Sequence, residues 1–117
     1  MWYKNKIVAP DGNEVVYELT TPEESPTRGI ALADITRSVM HWHEVLTETY
    51  VLLSGGLIIK TIANGRLQQI VLTQSLESFV IEPHVIHSAE GMDGKPARIL
   101  ALSTPHWTPE DHFIYKK

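Results

Sequence analysis

A chain of 117 residues, 43% hydrophobic and 21% charged, is expected to fold as one domain around one core, spanning residues 1–117. Its net charge of −4 argues against a nucleic-acid-binding surface, and the absence of cysteine excludes disulfides, thiolate chemistry and cysteine-rich zinc sites. No apolar run approaches the length of a membrane span, and Met1-Trp2-Tyr3-Lys4-Asn5-Lys6 has no signal-peptide core, so the expected location is the cytoplasm.

In chain order, residues 2–8 and 14–20 read as strands separated by the turn signal Pro10-Asp11-Gly12-Asn13. Residues 21–27, with two prolines, form a connecting loop, and residues 28–35 resume a strand pattern. His41-Trp42-His43 follows, then a short turn through Leu46-Thr47, then the strand-like run Thr49 to Leu53. Residues 56–62 and 66–72 are apolar-rich runs around Asn64-Gly65, a dipeptide that favours a two-residue type I′ hairpin. Residues 78–81, 87–91 and 97–103 complete the strand set, and the tail from Pro105 reads as a loop with at most one helical turn. Eight to ten short strands with almost no helical period predict an all-β sandwich or barrel.

The chemistry concentrates around His41. Alternate residues of a strand share a face, so His41 and His43 project together while Trp42 points away. The turn after them lets the next strand return Glu48 to their side. Two imidazoles and a carboxylate aimed at one point suit a divalent metal. By the same alternation Tyr50 falls on the face of Glu48, as a pocket wall or a phenol that bonds substrate. Arg37, four residues before His41, shares its face if the strand is regular, and would hold a carboxylate or phosphate of the substrate. Phe79 and Ile81 are expected to line the interior, and Trp42 to serve packing or a subunit interface.

The pattern His41-x-His43, Glu48 and Gly55, followed by Phe79 to Pro83 and His87, resembles the two motifs of the cupin superfamily over roughly residues 30–104. The resemblance implies a small jelly-roll β-barrel, with N-terminal strands in residues 1–20 and a tail in 105–117; an up-and-down barrel is the alternative. It also implies the ligand set His41, His43, Glu48 and His87. The sequence departs from the family pattern where glycine is usual, at Ile35, Leu76 and His84; Glu77 follows Leu76 where aspartate is usual. His84, in the turn before the last ligand, is a candidate acid–base group at the pocket rim. His106 and His112 lie in the tail, which is expected to fold over the barrel mouth or dock on a partner.

Three imidazoles and one carboxylate leave a net +1 on a divalent ion, and an ion that prefers six ligands keeps two positions open. Fe(II), Mn(II), Ni(II) and Co(II) fit this description, and zinc fits as a closed tetrahedral site. The expected function is metal-dependent action on a small polar metabolite, a sugar or a keto or hydroxy acid, by isomerisation, epimerisation or a similar proton transfer at a metal-bound carbonyl. A mononuclear iron dioxygenase is one rival, and a non-enzymatic ligand- or metal-binding module is the other. Trp2, Tyr3, Ile7, Val8 and Trp42 are more apolar surface than a small barrel readily covers, so a homodimer through the N-terminal strand is expected.

Overall fold

In a computed structural model, which describes residues 1–116, the chain forms eleven strands and two single-turn 3-10 helices. The strands are β1 (Asn5–Val8), β2 (Glu14–Glu18), β3 (Gly29–Ile35), β4 (His41–Trp42), β5 (Thr47–Ser54) and β6 (Leu57–Ala63). They continue with β7 (Arg66–Leu72), β8 (Ser78–Ile81), β9 (Ile86–Gly91), β10 (Ala97–Thr104) and β11 (Phe113–Ile114). Two antiparallel sheets result, with strand orders β1-β2-β3-β10-β5-β8 and β11-β4-β9-β6-β7. The crossing of consecutive strands between the two sheets is the jelly-roll arrangement expected from the sequence.

Alternation in the strands builds the interior. On β5, Glu48, Tyr50 and Leu52 are buried while Thr47, Thr49, Val51 and Leu53 are less so. On β6, Leu57, Ile59 and Thr61 point in, and their register partners on β9 are Gly91, Ala89 and His87. Ala33 and Ile35 of β3 and Ala97 and Ile99 of β10 close the apolar core. The core therefore fills one end of the sandwich, and the buried histidines and glutamates occupy the other.

The hairpin between β6 and β7 has two central residues, Asn64 and Gly65, both at positive φ, as a type I′ turn requires. The tail is more ordered than its composition predicts. Pro109–Asp111 makes a 3-10 turn, and β11 pairs with β4 through Phe113↔Trp42 and Ile114↔His41. Phe113 stacks on Trp42 with ring centroids 4.5 Å apart, so Trp42 is covered by its own chain. At the N-terminus β1 pairs with its own β2, and Trp2, Tyr3 and Tyr17 pack together.

Two of the positions where glycine is usual keep a left-handed backbone with a bulkier residue. Leu76 has φ 75° and His84 has φ 71°. Such a conformation costs a side-chain-bearing residue about 1–2 kcal/mol, partly offset by the extra chain entropy of glycine. The Leu76 side chain is 72% exposed, so little burial is lost on removing it. Leu76→Gly is expected to stabilise the fold by about 0.5–1 kcal/mol, a rise of roughly 2–5 °C in melting temperature. An unchanged or lowered melting temperature by calorimetry would show that no strain resides there.

Candidate metal centre

Three neighbouring strands and one loop bring the predicted ligands together. His41 lies on β4 directly opposite His87 on β9. His43 follows β4 by one residue, and Glu48 faces the same space from β5 across the interior. One potential ligand atom from each of His41, His43, Glu48 and His87 lies within 4.8 Å of every other. All four residues are buried, His87 completely.

The ring orientations are fixed from behind. His41 Nδ1 lies 2.8 Å from the carbonyl of Val39, His87 Nδ1 2.9 Å from that of Val85, and His43 Nδ1 2.6 Å from that of Asp111. A carbonyl only accepts, so each Nδ1 carries the proton and donates it. The Nε2 of a neutral ring is then a bare lone pair aimed inward. His43 Nε2, His87 Nε2 and Glu48 Oε1 have no hydrogen-bond partner, although Glu48 Oε1 lies 3.3 Å from His87 Nε2 and 3.8 Å from His43 Nε2. Converging lone pairs in a dry space repel one another unless a cation sits among them. The donor set, its tautomers and its orphaned atoms all fit a divalent metal.

The electrostatics agree. Burial, and then the neighbouring His87, push the His41 imidazole down to about 3, which keeps it neutral and ligand-competent. For His43 burial acts downward, but the Glu48 carboxylate outweighs it and the net shift is upward. Burial alone would raise Glu48; in the absence of a metal ion, hydrogen bonding toward the His43 and His87 rings outweighs it and holds the carboxyl well below the usual range. A proton shared at these sites plays, weakly, the part of a metal ion.

Beside the cluster a cavity of about 280 Å³ runs into the barrel, at the small end of ligand pockets. Tyr50 lines it as predicted, its phenol raised well above the ordinary value by burial and by Glu48, so it remains a neutral donor. Arg37 does not line it. β3 ends at Ile35, the chain between β3 and β4 is not a regular strand, and the inward place goes to Ser38, while Arg37 is exposed, its backbone paired with that of Glu90, beside a separate cleft. His84 is also outside: it is exposed in its turn and lies against the outer face of Trp42, at 6.2 Å between centroids.

Other groups take those places. His112 enters the cavity from the tail and stacks on His41 at 4.4 Å. Glu14 and Glu18 enter from β2, and His106 from the segment after β10. Sequence reading missed the two glutamates because Glu-Val-Val-Tyr-Glu alternates polar and apolar residues in neither phase. The register decides it: Glu14 pairs with Ile35 and Val16 with Ala33, both inward residues of β3.

The tail completes the centre. The Asp111 carboxylate accepts the backbone N–H of Glu44 at 2.7 Å and of Leu46 at 3.0 Å, with Val45 N–H between them at 3.2 Å. One side chain thus clamps the loop joining His43 to Glu48, while the carbonyl of the same residue orients the His43 ring.

No family model matches the sequence, and comparison with curated proteins likewise finds no match. Solved structures match well in shape. Capsular polysaccharide assembling protein CapF from Staphylococcus aureus superposes with a TM-score of 0.79 at 13% identity, covering 99% of this chain and 33% of that one. A variant of Bacillus subtilis oxalate decarboxylase OxdC gives 0.79 at 14% identity, covering 94% and 30%. The FeII form of HppE gives 0.68 at 17% identity, covering 85% and 55%. The chain has the cupin fold. It spans about a third of the length of the first structures it matches, 34% in one CapF structure.

Two outcomes test the cupin centre. His87→Ala is expected to lose most bound metal at fixed supply, and His84→Ala to keep it. Asp111→Ala, which frees the ligand loop, should weaken metal affinity about tenfold. Elemental analysis and competition with a chelator measure both, and full occupancy in His87→Ala would refute the ligand set. The second outcome concerns pH. Metal requires neutral imidazoles, so the ion holds histidine pKa values below their unfolded reference of about 6.5. Stability from a depressed histidine is present above that value and lost as pH falls through the window below it. The metal-induced rise in melting temperature should therefore shrink between about pH 7 and pH 5. Without metal the trend is weaker, because the upward shift of His43 opposes the downward shifts of His41 and His112.

Proposed function

We propose that this cupin is a metal-dependent enzyme that moves a proton next to a carbonyl of a small polar metabolite, as in isomerisation or epimerisation of a sugar-like compound. The observation that carries the proposal is the convergence of three orphaned, buried donor atoms beside a cavity that opens to the outside. His41, His43, Glu48 and His87 would hold the ion. Bound there, a divalent metal supplies Lewis acidity toward a carbonyl or hydroxyl oxygen.

The remaining residues fit that chemistry. Tyr50, neutral and buried beside Glu48, can donate a hydrogen bond to a ligand oxygen. His112 faces the same space; burial and then His43 lower its pKa, which favours the neutral ring. Its Nδ1 accepts the Trp107 indole N–H at 3.3 Å, so the neutral ring carries its proton on Nε2 and can give it to a ligand oxygen as a general acid. Ala33, Ile35 and Ile99 give the cavity an apolar wall.

The same donor set serves oxygen chemistry, which makes iron-dependent dioxygenation the rival reading. A single experiment separates them. Protein reconstituted with Mn(II) or Fe(II) is incubated with hydroxycarbonyl compounds in D₂O, with an oxygen electrode in the cell. Deuterium incorporation at the carbon next to the carbonyl, without oxygen uptake, is the expected result. It should fall at least about tenfold in His112→Gln. Oxygen consumption coupled to substrate loss would overturn the proposal in favour of the dioxygenase.

A further inference from the structure

The cavity beside the metal cluster is lined by acids and by no base stronger than histidine. Glu14, Glu18 and Glu48 face it, and among the described residues neither lysine nor arginine does. The three glutamates are not equivalent. Glu48 belongs to the donor cluster. Glu18 is buried and engaged: its Oε1 accepts the Asn5 amide at 3.0 Å, and its Oε2 lies 4.0 Å from His106 Nε2. The Glu14 carboxylate has neither hydrogen-bond partner nor counter-charge among the described residues, although β2 turns it inward in register with Ile35. A carboxylate that lines a cavity without a protein partner is free to accept a hydrogen bond from a ligand hydroxyl.

We propose that Glu14 tunes the ligand preference of this site: it accepts a hydroxyl of an uncharged hydroxycarbonyl compound and lowers the affinity of the metal-loaded cavity for carboxylates and phosphates. This rests on the metal-centre reading given above and narrows it to a substrate class. The loaded donor set keeps a net +1, and an ionised Glu14 in the same cavity lining, with no lysine or arginine beside it, offsets the pull of that charge on an anion. A neutral polyol or ketose brings the donor that Glu14 lacks. Burial, then Glu48 and Asp11, raise the Glu14 carboxyl to about 7, and the repulsion from Glu48 shows that the two carboxylates sense each other across the cavity. Similarity in fold to an oxalate decarboxylase thus does not extend to the charge of the ligand.

The test uses the cobalt-loaded protein at pH 8, where Glu14 is ionised, and reads the visible Co(II) absorption bands rather than turnover. Dihydroxyacetone and glycerate, three-carbon compounds that differ chiefly in charge, are the probes. Wild-type protein titrated with each probe sets the two reference affinities. Glu14→Gln, with unchanged cobalt content, should bind glycerate at least about tenfold better than wild type and dihydroxyacetone more weakly. Glu14→Ala should show the same gain for glycerate, which keeps the result independent of how glutamine packs. Equal glycerate affinity in wild type and both variants would overturn the role of Glu14 while leaving the metal centre intact. Failure of the wild-type chain to take up cobalt would overturn the metal reading, and this inference with it.

Discussion

The structure depends on a repulsion that the protein alone does not relieve. Two bare imidazole nitrogens and one carboxylate oxygen converge in a dry space with no donor among them. Backbone carbonyls of Val39, Val85 and Asp111 enforce the arrangement, since each claims the only proton its histidine carries. Rotating a ring away would expose an unsatisfied carbonyl and break packing in a buried layer. The polypeptide has therefore committed its hydrogen bonds to a geometry that is stable when a cation is present. Binding of that cation and stability of the fold are one equilibrium.

Much of this was legible in the sequence. The period-two pattern placed His41 and His43 on one face, and Glu48 and Tyr50 on another that meets it, because strand alternation is strict wherever one face is buried. Asn64-Gly65 located the β6–β7 hairpin because few other dipeptides accept positive φ twice. The failures have equally physical causes. Arg37 was placed by extrapolating alternation across residues 36–40, where the chain leaves the sheet. His84 was placed at the pocket rim by its nearness in sequence to His87, yet its left-handed backbone turns it outward against Trp42. Glu14 and Glu18 were invisible because the phase of β2 is set by its pairing with β3, a contact between segments that no local pattern encodes.

The tail shows the same limit from the other side. Its prolines and polar residues describe a loop, and most of it is one. Its contribution comes from a few long-range bonds: Asp111 to the loop at residues 44–46, β11 to β4, and His112 onto His41. These contacts span more than sixty residues of sequence, as the Asp111–Glu44 separation of 67 illustrates. A segment without periodicity thus becomes a wall of the site, and the orientation of one ligand depends on it.

The four donors and the cavity lining have different origins in the fold, and this bears on how such a site acquires specificity. His41, His43, Glu48 and His87 come from β4, β5 and β9 and the loop after β4; β9 is the central strand of its sheet, and β4 and β5, one strand in from an edge like β2, are paired on both sides. Moving any of them would disturb pairings on which the core relies. The residues that would meet a ligand away from the donors come from β2, near the margin of the larger sheet, and from the tail. Marginal segments tolerate substitution because fewer neighbours depend on them. The barrel therefore separates a fixed electrostatic demand for a cation from an adjustable wall that sets which molecule reaches it. On that division, the residue proposed to tune ligand charge is Glu14 of β2, which lies outside the motif that supplies the donors.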